Sequence, residues 1–189
     1  MKILVRAPNW VGDAVMAIPA LTAIRNSRAE AEISILARPP VADLFSGQPF
    51  ADRIIEFEHK GKHKGWLGRE SLIRQLRGEK FDCAILLQNA FEAAWLAWRA
   101  GIPERIGYAR DARGVLLTRA VSVPQYGEIP PHESHYYLEM LRRAGWMESQ
   151  GDVAPEQGTP VGAARSRREL PMALRSAGRQ NDSRPSRIA

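Results

Sequence analysis

Asp13 follows Gly12 directly and precedes an apolar run, Ala14-Val15-Met16-Ala17-Ile18, just past a strand-like segment, Lys2-Ile3-Leu4-Val5-Arg6. An acid at the end of a first strand can act in two ways. As a helix N-cap it satisfies free backbone N–H groups and suits the positive end of the helix dipole. As a general base in a cleft it takes a proton from an incoming hydroxyl. Both roles are open, and both can hold together. Gly12 beside it would let the backbone turn with no Cβ in the way. The turn carries neither of the two glycine signatures that cradle phosphates, G-x-x-x-x-G-K-[ST] and G-x-G-x-x-G.

A second polar turn, Gln88-Asn89-Ala90-Phe91-Glu92, follows the apolar segment Cys83 to Leu87. Side-chain amides there can hydrogen-bond sugar hydroxyls without a charge cost, or Asn89 can cap the next helix. A third candidate is His59-Lys60-Gly61-Lys62-His63-Lys64-Gly65-Trp66. It is either a solvated loop or a glycine-hinged arm whose Lys60, Lys62 and Lys64 take phosphates or carboxylates. His59 and His63 lie in a glycine-rich stretch with no carboxylate pair nearby, so no metal site is expected. Arg105, Arg110 and Arg113 crowd one short region and can serve as surface charges or bind an anionic acceptor. Trp95 and Trp98 are expected to pack.

These candidates sit in a chain that alternates between two periods. Strands are expected at Ile3 to Val5, Glu32 to Ala37, Arg53 to Phe57, Cys83 to Leu87 and Arg105 to Tyr108. Helices are expected at Val15 to Ile24, Val41 to Phe45, Leu67 to Leu76, Ala90 to Ala100 and Glu133 to Ala144, with Gly101 and Gly145 as stops. The alternation predicts an α/β, Rossmann-like, mainly parallel sheet with helices on both faces. In such sheets ligands bind outside the carboxyl ends of the strands, where Asp13 would stand. Pro19 is the misfit: either it kinks the first helix or that helix starts later.

Composition narrows the class. Lys and Arg number 27 against 21 Asp and Glu, a net charge of +6, but half of that excess falls in residues 151–189. The basic balance is therefore poor support for nucleic-acid binding, and no nucleic-acid partner is expected. The single cysteine, Cys83, lies in an apolar run and is expected to be a buried free thiol, which fits a reducing compartment. No apolar stretch is long enough to span a bilayer and the first residues do not form a signal peptide, so a cytoplasmic protein is expected. Residues 147–189 have no period, no lysine and, beyond position 147, no aromatic residue. They are expected to be irregular or disordered, and their composition resembles an out-of-frame translation of GC-rich coding DNA. The domain limits expected are 1–146 and 147–189.

Several segments carry a resemblance when taken in order. Met1-Lys2-Ile3-Leu4-Val5-Arg6-Ala7-Pro8-Asn9-Trp10-Val11-Gly12-Asp13 resembles the start of bacterial lipopolysaccharide heptosyltransferases of glycosyltransferase family 9. Leu86 to Phe91 resembles that family's second sugar-facing turn, with Gln88 in place of a proline and Ala90 in place of a serine. Ala100-Gly101-Ile102-Pro103-Glu104-Arg105-Ile106-Gly107 resembles its A-G-I-P-x-R-x-G segment, Gly114 to Thr118 follows in place, and His132 to Tyr137 resembles the start of a later helix.

The resemblance covers roughly 1–146 and implies the N-terminal half of a GT-B glycosyltransferase. It implies transfer of heptose from ADP-L-glycero-D-manno-heptose to a Kdo-heptose lipid A acceptor, inverting, without metal or cofactor, peripheral at the inner-membrane surface. It makes Asp13 the general base. Asn9, Trp10, Gly12, Gln88 and Asn89, with the basic Lys60, Lys62, Lys64, Arg105, Arg110 and Arg113, then form the acceptor side. Nothing in 147–189 resembles the family's donor domain, so a truncated form lacking it is expected. The alternative is a non-catalytic acceptor-binding domain, or another small-molecule-binding α/β domain.

Overall fold

The computed structural model describes residues 1–147. Six strands form one sheet: β1 (Lys2–Arg6), β2 (Glu32–Ala37), β3 (Arg53–Glu56), β4 (Cys83–Leu86), β5 (Glu104–Tyr108) and β6 (Arg119–Val121). Their order is β3-β2-β1-β4-β5-β6, and every neighbouring pair is parallel. The helices are α1 (Val11–Met16), α2 (Ile18–Ser27), α3 (Pro39–Phe45), α4 (Gly65–Glu79), α5 (Phe91–Arg99) and α6 (Glu133–Arg143).

The two-residue period of the strands divides the core into two layers. Ile3 and Val5 of β1 join Ile33, Ile35 and Ile85 in a cluster completed by Leu21, Ile24, Phe45 and Met140 from α2, α3 and α6. Leu4 points the other way, with Leu36, Ala84 and Leu86, and meets Leu72, Ile73 and Leu76 of α4 and Leu96 and Ala97 of α5. Both faces of the sheet are thus covered, which is why its central strands read as unbroken apolar runs. Cys83 is a buried free thiol, its ionisation pushed up chiefly by burial.

The chain runs outward from β1 through β2 to β3, then returns to place β4 on the other flank of β1. The strand order therefore reverses between β1 and β4. In open parallel sheets the crevice beyond the strand ends at such a reversal is where ligands bind. The turns after β1 and β4 meet there: Leu87 and Gln88 both donate backbone N–H bonds to the Arg6 carbonyl, at 3.1 and 3.3 Å.

Three details differ from the sequence reading. The first helix is two: α1 closes at Ala17 and α2 opens at Ile18, with Pro19 in its first turn, where a missing N–H costs little. β6 was not anticipated, because it is a three-residue strand at the sheet edge with two exposed residues. Trp98 does not pack inside, being 49 % exposed. Gly101 and Gly145 do end α5 and α6, each at positive φ. The irregular segment expected at 147–189 lies outside the described residues, apart from Met147, which packs against the core.

Candidate functional site

Asp13 is the third residue of α1, half-buried, in the helix that follows the carboxyl end of β1. It does not cap the helix: Trp10 occupies that position in extended geometry and makes no side-chain capping bond. Asp13 takes part in none of the ion pairs among the described residues. Its charge is felt at Tyr137, whose phenol is pushed up by burial first and by the charges of Glu133 and Asp13 after it. Gly12 does not make the bend expected of it. It is the exposed second residue of α1, its φ is not positive, and a Cβ there would meet nothing within 4 Å.

The bend is made by Ala7 to Trp10, and Arg6 holds it, a residue whose importance the sequence reading missed. Arg6 ends β1 and is only 2 % exposed. Its guanidinium donates to the carbonyls of Ala7 (2.6 Å) and Leu36 (3.2 Å) and to Asn9 Oδ1 (2.7 Å), and lies over the Phe57 ring at 5.3 Å. Its Nε has no partner among the described residues. Burial, reinforced by Arg38, brings its pKa down to about 9, against a small opposing pull from Glu92. The signal available in the sequence was a cation closing an otherwise apolar central strand. Asn9 is therefore engaged from beneath, whereas Trp10 is 71 % exposed.

Across the reversal point the polar side chains are interlocked. Arg113, fully buried, donates to the carbonyl of Tyr108 (2.8 Å), to the carbonyl of Gln88 and to Asn89 Oδ1 (3.0 Å). Burial lowers its pKa to about 10. Asn89 Nδ2 donates in turn to the Tyr136 hydroxyl at 3.2 Å, which Arg110 also approaches at 3.5 Å. Asn89 is thus not the cap of α5; Ala90 stands there without a side-chain bond. Asp111 and Ala112 sit at φ 52° and 56°, the left-handed turn that brings Arg113 back under the strand ends. Gln88 Oε1 is buried without a partner among the described residues. Arg110 is exposed. Beside Tyr136 a cleft of about 420 Å³ opens between 125–132 and the start of α6.

Lys60, Lys62 and Lys64 are exposed on the loop after β3, at the same carboxyl edge of the sheet. The loop is a closed turn, with Gly65 at φ 67° where it enters α4. Gly61 and His63 N–H groups both bond the Glu58 carbonyl at 3.0 Å, and buried His63 accepts from the Glu58 N–H through Nδ1 at 3.1 Å. Gly68 of α4 backs against it so closely that a Cβ there would lie 2.5 Å from the His63 carbonyl carbon. Arg105 stands apart from the others. It lies near the opposite end of β5, its guanidinium bonded to the carbonyls of Leu116 (2.6 Å), Ile102 (2.5 Å) and Pro103 (3.2 Å).

Among the described residues, the strand-order reversal therefore has beside it two carboxylates outside any ion pair, Asp13 and Glu133, the buried amide oxygen of Gln88 and the exposed Arg110, with Lys60, Lys62 and Lys64 on the loop after β3. That set can accept a proton from an alcohol and hold a hydroxylated, negatively charged molecule.

A family model for glycosyltransferase family 9 (heptosyltransferase) matches residues 69–136. Lipopolysaccharide heptosyltransferase 2 of Escherichia coli (strain K12) is 33 % identical over 119 residues, which is 62 % of this chain and 34 % of the relative. The solved E. coli ADP-heptose lps heptosyltransferase II superposes with a TM-score of 0.61 and 29 % identity, over 74 % of this chain and 40 % of that one. The chain is similar to the N-terminal part of heptosyltransferase II. A second E. coli heptosyltransferase, WaaC, solved with ADP-2-deoxy-2-fluoro heptose, shares the fold at a TM-score of 0.66 and 17 % identity, over 80 % of this chain and 51 % of that one. The likeness to heptosyltransferase II fits the α/β architecture to that of GT-B glycosyltransferases. This chain spans about a third of the length of the curated relative it matches.

Proposed function

We propose that this heptosyltransferase II-like chain supplies the acceptor side of heptose transfer to the inner core of lipopolysaccharide, working peripherally at the cytoplasmic surface of the inner membrane. The donor is ADP-L-glycero-D-manno-heptose and the acceptor a Kdo-heptose lipid A. The observation that carries this reading is Asp13: a half-buried carboxylate, free of ion pairs among the described residues, on the first turn of α1 at the strand-order reversal.

In the step proposed, the acceptor hydroxyl oxygen attacks the anomeric carbon of the heptose. The bond from that carbon to the diphosphate breaks, ADP leaves with the electron pair, and Asp13 takes the hydroxyl proton. Attack opposite the leaving group inverts the anomeric centre, and no metal is required. Ionised Asp13 is the competent form, which a base needs. Half-buried Gln88 turns its amide to a hydroxyl of the acceptor sugar, which would give a partner to the Oε1 that is buried and unpartnered without it. Asn9 and Trp10 wall the acceptor on the β1 side. Arg110 and the three lysines attract its carboxylates and phosphates. Arg113 and Asn89 contribute by holding the opposite wall, and Arg105 supports β5.

Calorimetric titration of the chain with delipidated Kdo-heptose oligosaccharide tests the acceptor reading. Binding is expected, weakened by Gln88→Ala and by raised salt. Absence of binding at millimolar sugar, or binding indifferent to both changes, would remove it.

A further inference from the structure

α5 carries Phe91, Trp95 and Trp98 at helical spacing i, i+4 and i+7, so all three lie on one stripe. Phe91 is 46 % and Trp98 49 % exposed. At the start of α4, Trp66 meets Trp95 with ring centroids 6.1 Å apart and extends the stripe across the helix pair. Leu67 beside it is 82 % exposed. Soluble surfaces scatter such residues singly; a contiguous set of aromatic and aliphatic side chains marks a contact surface.

The charges around the stripe have one sign to spare. Glu92 is paired with Arg69 at 2.6 Å, Glu70 with Arg99 at 2.9 Å and Glu79 with Arg53 at 2.8 Å, so the acids of the two helices are neutralised. Lys60, Lys62 and Lys64 enter no ion pair among the described residues, and Glu58 is the acid that shares their turn. Those lysines immediately precede Trp66, at the carboxyl edge of the sheet.

We propose that Trp66, Leu67, Phe91, Trp95 and Trp98, flanked by Lys60, Lys62 and Lys64, dock the protein on an anionic lipid bilayer. Indoles seat at the headgroup boundary with their ring bodies in the acyl region, Leu67 enters beyond them, and ammonium groups meet lipid phosphates. A nucleic-acid platform fits less well. It needs open aromatic faces for base stacking, and the Arg99 guanidinium stands 5.8 Å from both the Trp66 and Trp95 ring centres. The surface deepens the membrane-side reading above and rests on it for its purpose. It also places the strand-end site beside the bilayer, because Trp66 and Phe91 begin helices that leave that edge.

Sedimentation of the full chain with vesicles of phosphatidylcholine containing about a third phosphatidylglycerol tests this directly. The vesicles carry no sugar, so the outcome is independent of acceptor binding. Binding is expected, and pure phosphatidylcholine should bind at least tenfold less. Lys60→Gln, Lys62→Gln and Lys64→Gln together should lower partitioning by about two orders of magnitude, since each lysine near an anionic surface contributes about fivefold. Trp66→Ser with Leu67→Ser should lower it by at least about tenfold through lost apolar burial. All five side chains are exposed or at the surface, and circular dichroism should show the variants folded. Three results would each overturn the proposal: no binding to anionic vesicles, binding unchanged in both variants, or tighter binding of single-stranded RNA abolished by the same changes. So would a dimer in light scattering that Trp66→Ser with Leu67→Ser converts to monomer, since the face would then join two copies.

Discussion

The turns after β1 and β4 lie side by side, linked through the Arg6 carbonyl, and both carry polar residues, but they use them differently. After β4, Asn89 is committed at both ends of its amide, to Arg113 and to Tyr136. After β1, Asp13 has no ion-pair partner among the described residues, while the residues that shape its turn are fixed by buried Arg6. Residue type alone does not separate these roles, because either turn could hydrogen-bond a sugar. What separates them is whether the side chain's bonding capacity is already used. The β4 side is built as a wall, with Gln88 Oε1 buried in it and lacking a partner among the described residues, and the β1 side presents a half-buried carboxylate from a fixed support.

The contrast breaks most sharply at Asp13. Asp13→Asn keeps the size and the first-turn position but cannot accept a proton. In a chain that turns over, this one or a chimera completed with a relative's remaining residues, the rate should fall about 10²- to 10⁴-fold. The melting temperature should shift by less than about 3 °C, the scale of a lost dipole interaction. A normal rate would leave Asp13 as a helix-terminus residue only. Arg113→Ala should do the reverse. It strips hydrogen bonds from three buried or half-buried oxygens and should cost about 3–5 kcal/mol, read as a large drop in the denaturant midpoint. A loss of acceptor affinity with stability intact would move Arg113 from the wall into the binding surface.

This contrast also marks what could be read before the coordinates. Apolar runs such as Cys83 to Leu87 identify buried parallel strands because the residues themselves carry the burial signal. The sheet with helices on both faces, and the strand end that carries Asp13, follow from that alternation. β6 was invisible because Arg119-Ala120-Val121 is set by its ladder with β5 and has no pattern of its own. The site was less legible, since partnership is a tertiary property. No spacing shows that Arg113 folds back onto Asn89 from 24 residues away, or that His63 is buried and closes the lysine turn. Gly12 was expected to make the bend, which Ala7 to Trp10 make, and Asn89 was left between sugar binding and capping, where Ala90 holds the cap position and Asn89 is bonded to Arg113 and Tyr136.

A finer probe of the wall is Gly107 on β5. A Cβ there would stand 3.1 Å from Arg113 Nη2 and 3.3 Å from Leu86 Cβ. Its φ is not positive, so the constraint is space alone. Gly107→Ala should cost about 1–3 kcal/mol in chemical denaturation, as overpacking does. Acceptor binding should weaken only as far as Gln88 is displaced. No change in stability would mean that the Arg113 fork has room to yield, and the wall would be looser than its hydrogen bonds suggest.

The smallest effect expected lies behind the wall, where α6 carries Tyr136 to its place. Glu139 accepts from Arg142 at 2.6 and 2.7 Å and from Arg143 at 2.5 Å, and Arg143 reaches the Ser122 carbonyl and hydroxyl and Glu128. These bonds hold the Glu139 carboxyl at a pKa of about 2, below its ordinary 4.5. A carboxylate depressed in the folded state stabilises above the unfolded value and loses that contribution as pH falls through the folded one. Glu139→Gln should therefore cost about 1–2 kcal/mol at neutral pH. The gap in melting temperature between the two proteins should be full above pH 5 and should close between pH 4.5 and 2. A gap that persists at pH 2 would assign the loss to packing and not to charge. Because the change acts on the β4 side of the reversal, it should leave the rate dependence on Asp13 as it was. A parallel fall in rate would mean that the two turns are coupled through the Arg6 carbonyl.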